Sequence, residues 1–396
     1  NGTVLVKDIK TVPGIMGIGS EPQFLTNVDG TLFFRASDGS SGAELWKSDG
    51  TEVGTLLVRD INPGASLGVI GDLTDVGGVL FFNGIDGSSG NELWKSDGTT
   101  AGTVRVADIR PGSQSSDPRR LIDFGGTLLF RANDGTNGTE LWKSDGTGAG
   151  TSLVKDISPG TSGSFPDDFA VSAGALYFRA NQSTTGNELW TSDGTSSGTM
   201  IVKDVRPGSA SGVPRDLTDL AGTLFFSATD GTNGTELWMS DGTNTGTVMV
   251  KDIIPGSGGS HPRNMTNVNG TLFFSARSAA GGNLELWKSD GTDVGTVLVK
   301  SILVHSGSTD GELIDFNGTL YFTARDAPGD YELWKSDGTT AGTVLVKDIN
   351  PGTAGSSPLG LTVVNNTLYF VANDGVHGRE LWKSDGTTAG TVMVKD

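Results

Sequence analysis

Three histidines and a few charged or aromatic neighbours are the side chains best suited to bind a ligand in this sequence. The candidate binding residues are His261, Arg263, His305, Arg325, Tyr331, His377 and Arg379. Imidazole, guanidinium and phenol groups can contact a glycan or a protein through hydrogen bonds, charge and stacking. We therefore expect a glycan or protein as the ligand, provided that the fold brings these residues together.

Catalytic motifs do not stand out. A zinc hydrolase needs clustered histidines and carboxylates, and a serine hydrolase needs a Ser–His–acid set. The sequence has 3 histidines and no nucleophile motif, and none of its 46 acidic residues stands out as a pair for glycoside hydrolysis. With no cysteine, thiolate metal sites and cysteine nucleophiles are excluded. The sequence predicts no enzyme, no catalytic residue and no cofactor.

The net charge and the hydropathy of the chain argue against two classes of partner, nucleic acid and the membrane interior. The formal net charge of −18 argues against nucleic acid, because phosphate binding requires a basic patch. No apolar run approaches the roughly 18–20 residues of a membrane span. The acidity is compatible with calcium but does not demonstrate it.

The elements that must position these residues come from an internal repeat. "ELW" occurs eight times at spacings of 48, 48, 48, 48, 49, 47 and 48 residues and contains every tryptophan: Trp46, Trp94, Trp142, Trp190, Trp238, Trp287, Trp334 and Trp382. Such a period indicates a repeat architecture within a single domain, residues 1–396. The predicted units are 14–61, 62–109, 110–157, 158–205, 206–253, 254–302, 303–349 and 350–396, after an extra strand or lead-in at 1–13.

Each unit contains four short apolar runs separated by turn residues. In unit five they are "RDLTDL", "GTLFFSA", "TELWMS" and "GTVMVKDI", which we call strands A to D. Asp-Gly and Asn-Gly between them favour tight turns, and no run has a helical period. Both sides of each strand are apolar: Leu32 and Phe34 point one way and Phe33 the other. Small sheets that must be covered on both faces predict an all-β, eight-bladed β-propeller of four-stranded antiparallel blades, with a linear β-solenoid as the alternative.

Ring closure stays open. Thr3–Ile9 duplicates strand D, although the last unit already ends in its own copy, "GTVMVKD". The extra copy is a fifth outer strand, a lead-in from a preceding module, or the strand that closes the ring.

The motif that begins at Glu44 and ends at Thr51, "ELWKSDGT", has a counterpart in all eight units. It resembles the ELWxxDGT repeat of large secreted or surface proteins of bacteria. The resemblance implies a propeller-like repeat in an extracellular or cell-surface protein, and it implies no catalytic residue. No signal sequence precedes Asn1, so we expect that any targeting signal has been removed.

Identical surroundings in every unit predict that the eight tryptophans are structural and fill the space between blades. We likewise expect the "SDGT" aspartates to bond the amides of their own turn, with calcium as the alternative. The A–B and C–D turns hardly vary between units, whereas the D–A and B–C loops on the opposite face vary most. Loops that vary on a rigid scaffold are where recognition is expected, and all seven candidate residues lie in or beside these loops.

The resulting prediction is a non-catalytic, secreted or cell-surface propeller that acts as a binding module. Two alternatives remain. One is a structural subunit of an extracellular layer or filament that assembles with copies of itself through an edge strand. The other is a calcium-dependent lectin.

Overall fold

The computed structural model describes residues 2–10, 19–64, 66–305, 313–326, 329–352 and 354–396. Positions 1 and 11–13 of the predicted lead-in lie outside the described residues, as do 306–312 and 327–328 of two predicted loops. The described residues contain strands and turns but no helix. No segment of this part of the chain is therefore a helix able to span a bilayer.

The prediction of an all-β, eight-bladed β-propeller is confirmed. Each blade is an antiparallel sheet in the order A–B–C–D, and blade 7 adds one two-residue strand, β25 (Leu303–Val304), that the sequence did not predict. Strands A are β1 (Gln23–Val28), β5 (Val69–Val76), β9 (Arg119–Phe124), β13 (Asp167–Ser172), β17 (Arg215–Leu220), β21 (Arg263–Val268), β26 (Leu313–Phe316) and β30 (Leu359–Val364). Strands B are β2 (Thr31–Ser37), β6 (Val79–Ile85), β10 (Thr127–Asn133), β14 (Ala175–Gln182), β18 (Thr223–Thr229), β22 (Thr271–Arg277), β27 (Thr319–Arg325) and β31 (Thr367–Asn373).

The outer two strands of each blade carry the repeated motif. Strands C are β3 (Ala43–Ser48), β7 (Asn91–Ser96), β11 (Thr139–Ser144), β15 (Gly186–Ser192), β19 (Thr235–Ser240), β23 (Leu284–Ser289), β28 (Glu332–Ser336) and β32 (Arg379–Ser384). Strands D are β4 (Leu56–Arg59), β8 (Val104–Ala107), β12 (Ser152–Lys155), β16 (Met200–Lys203), β20 (Val248–Lys251), β24 (Val297–Lys300), β29 (Val344–Lys347) and β33 (Val392–Lys395). Strands A are innermost, because adjacent blades approach through them: Thr26 Oγ1 donates to Leu73 O at 3.3 Å and Thr266 Oγ1 to Leu313 O at 2.6 Å.

Adjacent blades pack through two unlike apolar faces. The face toward the next blade, which we call the forward face, presents Leu45 and Phe33 in blade 1. The rear face of blade 2 covers them with Phe82 and Trp94, whose rings stack with centroids 6.5 Å apart. The eight tryptophans are all buried, with 4–9% of their surface exposed. Their side chains therefore fill the seams between blades and are not presented to solvent.

The "SDGT" turn satisfies its own polar groups. In blade 2, Asp97 Oδ1 accepts from Thr99 N at 2.8 Å and Thr99 Oγ1 at 2.7 Å. Ser96 Oγ and Thr103 Oγ1 form a buried pair 2.7 Å apart beneath it. The bond to Thr99 lowers the pKa of Asp97. These bonds recur in every blade, so the turn closes the C–D hairpin without any added group; the calcium alternative remains a prediction.

Residues 2–10 lie against the rear face of blade 1. Ile9 packs beside Phe34 and Trp46, and Lys7 Nζ donates to Thr55 O at 2.8 Å. The same bond joins strand D of one blade to the next blade elsewhere, as from Lys347 Nζ to Thr391 O at 2.7 Å. The segment thus occupies the place of strand D in a preceding blade, and within the described chain it pairs with no strand.

The forward face of blade 8 differs from the other seven. Leu381 is 39% exposed, whereas Leu45, Leu333 and the other five equivalent leucines are 0% exposed. Val364 is 47% exposed, against 5% for the equivalent Val28. The same residue types are therefore core in seven blades and surface in the eighth.

A buried glutamate joins strand C to the following D–A loop. Glu140, the first residue of its "ELW", is 0% exposed and accepts from Ile157 N at 3.1 Å and from Ser164 N at 2.8 Å. Burial raises the pKa of Glu140 to about 7, and that of Glu44 to about 8. Because the folded state binds this proton more tightly, stability from these groups is complete below about pH 4.5 and is lost as pH rises through 7 to 8.

The two leucines of blades 7 and 8 give a direct test of the open face. Leu333→Ala should lower the free energy of unfolding by about 2–5 kcal/mol, because it leaves a cavity in a filled seam. Leu381→Ala should cost much less, because its side chain already contacts solvent. Urea denaturation of both variants measures the difference; equal losses would mean that the blade 8 face is covered in solution.

The glutamates predict a pH dependence of stability. The melting temperature should fall between pH 5.5 and 8.5, and Glu140→Gln should flatten that fall because its side chain cannot ionise. The matched control is Glu52→Gln, which removes the same charge from an exposed turn. Calorimetry across this range measures both, and an unchanged slope in Glu140→Gln would contradict the assignment.

Candidate functional site

The cavities that could hold a ligand lie mainly on the face formed by the D–A and B–C loops, which we call the loop face. The largest has a volume of about 540 Å³ and is lined by Asp168, Arg215, Asp216, His261 and Arg263, among others. We call it the acidic cavity. A second cavity of about 300 Å³ shares His261 and Arg263 and is lined further by Arg277, Arg325 and Tyr331. We call it the cationic cavity; the two adjoin across blades 4 to 7.

A backbone irregularity at the start of strand A places the acidic residues. One residue near the start of this strand has positive φ in blades 1 to 6, with φ between 53° and 56° at Phe24, Asp72, Arg120, Asp168, Asp216 and Asn264. The strand pairing shifts register there, for example between Asp167 and Ala170. A bulge of this kind redirects a side chain at the rim of a sheet. In blades 4 and 5 the redirected side chains are carboxyl groups that line the acidic cavity.

Asp216 has few hydrogen-bond donors around its carboxyl group. The only hydrogen bond to this group in the described chain comes from Asn264 N, at 3.4 Å to Oδ1. Burial and then the nearby charge of Asp168 raise the pKa of Asp216, against a lowering by the Asn264 bond and by Arg263 and Arg215. Its carboxyl group therefore holds a proton to higher pH than an ordinary aspartate.

Asp168 has a cationic neighbour. Its Oδ2 lies 3.2 Å from Arg179 Nη1, an ion pair whose geometry does not make a hydrogen bond. Burial raises the pKa of Asp168 more than Arg179 lowers it. The two acids thus share a cavity and differ in charge environment, because in the described chain only Asp168 has a guanidinium group within ion-pair distance.

The adjacent Asp167 anchors the arginines around this cavity. It lies 2.8 Å from Arg179, 2.5 Å from Arg120 and 3.6 Å from Arg131. Burial acts to raise the pKa of Asp167, but the three arginines together lower it. Asp167 is therefore a charged anchor and not a proton donor.

The cationic cavity gathers guanidinium groups from three strands. Arg263 begins β21, while Arg277 and Arg325 end β22 and β27 at equivalent positions. Arg325 lies over the ring of Tyr331, with 4.8 Å from Cζ to the ring centroid. His305 meets the same ring edge-on, with centroids 4.8 Å apart.

His261 lies where the two cavities meet. Burial, followed by Arg277 and Arg263, lowers the pKa of His261. The imidazole is therefore neutral at pH 7 and can donate one hydrogen bond and accept another.

The predicted binding residues divide into two groups. His261, Arg263, Arg325 and Tyr331 line one cavity, and His305 packs against Tyr331. The two residues of blade 8 lie elsewhere. His377 Nδ1 pairs with Asp374 Oδ2 at 2.7 Å, and Arg379 Nη1 donates to Ser357 O at 3.4 Å. The binding role of the whole set remains a prediction.

Sequence reasoning missed Asp168, Asp216 and Arg277. The signal lay in the comparison of units: a proline often precedes strand A by one residue, and the position two residues after it changes from Asp168 to Asp216 to Asn264. Spacing alone does not mark these acids, because their surroundings arise only when the blades assemble.

One acidic group could hold a metal ion. Among the described residues, Asp330, Glu332 and Asp348 place carboxylate oxygens within 4.8 Å of one another. Glu332 already accepts from Ile349 N at 3.1 Å and Ser356 N at 2.8 Å, as its equivalents do in other blades. These bonds account for the buried member of the group.

Comparison with known proteins gives matches in structure only. No protein-family model matches the chain, and no curated protein matches it in sequence. A puromycin hydrolase is 14% identical, with a TM-score of 0.45, and 95% of this chain and 54% of that chain are covered. A puromycin-hydrolyzing peptidase of Mycobacterium tuberculosis is 10% identical, with a TM-score of 0.47 and coverage of 95% and 53%. Oligopeptidase B from Leishmania major is 12% identical, with a TM-score of 0.48 and coverage of 89% and 52%.

The chain spans about half the length of these solved structures. They correct two predictions. The matches contradict the predictions of a non-catalytic binding module, with its structural-subunit and lectin alternatives, and of no enzyme, since the similar structures are a hydrolase and peptidases; at 10–14% identity they show the fold of this chain alone. The physical reason is that motif spacing carries no information on which side chains the assembled ring brings together in a cavity. Since a shared fold assigns no site, the activity has to be argued from this chain's own cavity.

Proposed function

We propose that the chain is a hydrolase that cleaves a glycosidic bond in the acidic cavity, with Asp168 and Asp216 as its carboxyl pair. The observation that supports this is the presence of two half-buried carboxyl groups with raised pKa in the same cavity of the loop face. Perturbed acids in a cleft are a general mark of functional sites. Glycoside hydrolysis needs two carboxyl groups and water, and no metal or serine nucleophile.

The surroundings assign a role to each acid. Asp216 has no arginine in ion-pair contact in the described chain, and the charge of Asp168 disfavours its ionisation. It is therefore the proton donor to the leaving oxygen. Asp168 lies 3.2 Å from Arg179 and is the member that stays ionised, to activate water or to attack the sugar carbon.

A purely structural role explains Asp216 less well. The equivalent Asp72 makes contacts at 3.2 Å with Arg119 Nη1, Arg120 N and Asn83 Nδ2, so its carboxylate is well satisfied. Asp216 makes one long bond. A half-buried carboxyl group left with so few donors costs stability, and a cavity that keeps it is better explained by a reaction that uses the proton.

Two further predictions, the repeat family and the location of the chain, are added to this proposal. We propose that the chain belongs to the ELWxxDGT-type repeat proteins and works outside the cytoplasm. The supporting observation is still the motif in all eight units. Fractionation of the native host, followed by detection of the chain, would test its location.

Substitution of either acid should abolish turnover. Asp216→Asn and Asp168→Asn should each lower kcat by about 10²–10⁴-fold, the usual contribution of a positioned acid or base. The measurement is product release from a panel of nitrophenyl glycosides and oligosaccharides. The pH–rate profile should fall on its alkaline side as Asp216 loses its proton, and the raised pKa of Asp216 carries that limit above the range of an ordinary aspartate.

The control is Asp219→Asn. Asp219, in the same strand β17, accepts from Ser172 Oγ at 2.5 Å across the seam between blades 4 and 5. This variant weakens the blade contact without touching the cavity and should keep its activity. Equal losses in Asp219→Asn and Asp216→Asn would point to a structural effect. Cleavage of peptide nitroanilides but not of glycosides would reject the glycosidic bond as the substrate.

A further inference from the structure

Three arginines in the cationic cavity have no acidic partner. In the described chain, Arg263, Arg277 and Arg325 form no ion pair with an Asp or Glu, and Arg277 Nε is buried without a hydrogen-bond partner. The chain has 46 acidic residues and only 28 lysines and arginines, so acidic residues are plentiful. Arg263 is exposed, whereas Arg277 and Arg325 are partly buried. An unpaired guanidinium group in a partly buried site is unfavourable, which indicates a ligand that supplies the missing negative charge.

Two arginines of blades 3 and 4 show a contrast. Arg131 and Arg179 also belong to strands B, and both lie within 3.6 Å of Asp167. Arg277 and Arg325 lie two positions further along their strands B and have no such carboxylate partner in the described chain. The cationic cavity therefore gathers guanidinium groups that no acidic side chain neutralises by direct contact.

The cavity is also held in place before a ligand arrives. Tyr331 has Arg325 over its ring face and His305 at its ring, both at 4.8 Å. Stacking on an aromatic ring orients the planar guanidinium group, so little rotamer freedom remains to be lost on binding. A planar carboxylate accepts two parallel hydrogen bonds from such a group.

We propose that the cationic cavity binds the carboxylate of an acidic sugar, and that it thereby orients a uronate-containing oligosaccharide across the loop face. The sugar part of this inference rests on the proposed function; the anion site does not. His261 and Arg263 line both cavities, so a sugar held here by its carboxylate extends toward Asp168 and Asp216. The acidic pair repels a carboxylate, which fixes the direction in which the substrate lies.

The experiment measures binding in a background that does not turn over. Asp216→Asn protein is titrated calorimetrically with trigalacturonate and, separately, with its neutral counterpart in which the carboxyl groups are reduced. The uronate should bind at least about tenfold more tightly than the neutral sugar, and the difference should shrink as salt is raised. Arg277→Gln with Arg325→Gln should remove that preference.

The matched control is Arg110→Gln, which removes the same charge from a D–A loop of the loop face. Arg110 bonds to Ser115 O at 3.4 Å in blade 3 and lines neither cavity, so uronate binding should be unchanged. Thermal unfolding of each variant confirms that the fold is intact.

The outcomes separate the two proposals. Arginine-dependent uronate binding without hydrolysis by the unsubstituted chain would support the anion site and overturn the hydrolase. Hydrolysis with equal affinity for the acidic and neutral sugars would support the hydrolase and overturn the anion site. Tighter binding of a sulfated oligosaccharide with no binding of the uronate would overturn the carboxylate assignment.

Discussion

The bond between the buried glutamate of "ELW" and the following D–A loop is the interaction on which the loop face depends. Glu92 accepts from Ile109 N at 2.9 Å and Ser116 N at 3.1 Å, and equivalents in other blades do the same. This side chain starts at strand C, yet its partners lie 17 and 24 residues later. The glutamate therefore fixes the position of the D–A loop relative to strand C. The position of this loop in turn determines where strand A begins. Burial opposes ionisation of the glutamate, so the loop is held by a group whose charge is unfavourable at neutral pH.

Within the described residues, the hydrogen bonds that Glu92 makes are not repeated by its equivalent in blade 6, which contributes to the cationic cavity. In blade 6, Glu285 bonds to the hydroxyls of Ser278 and Ser301 and not to loop amides. The segment that follows loses its Pro-Gly turn and contributes β25, which pairs with β27 beside Arg325. A loop released from the common glutamate bond can adopt a conformation of its own. The cationic cavity thus lies in a part of the ring where the glutamate of strand C does not bond to the described amides of the following loop.

Strand number, turn positions and the sidedness of the apolar residues could all be read from the sequence, because each depends on local chemistry repeated eight times. Phe33 and Phe34 had to face opposite ways, and a sheet apolar on both faces had to be stacked. The acidic pair could not be predicted in this way. Asp168 and Asp216 are 48 residues apart, and each reaches the cavity through a residue with positive φ, which neither aspartate signals by type. Their raised pKa is a property of the assembled ring and not of either unit.

The open forward face of blade 8 and the position of the two cavities both follow from the need of each blade to be packed on two sides. Every blade needs a neighbour on both sides, and the apolar pattern of Val364 and Leu381 is that of a covered face. Residues 2–10 supply only strand D of such a neighbour to blade 1, which is enough to cover Trp46 to 7% exposure but not to complete a sheet. The acidic and cationic cavities lie in blades 4 to 7, where each blade is packed on both sides. A site that depends on the relative placement of four blades is best held where those blades are fixed from both directions, and this is where the unpaired arginines and buried acids lie.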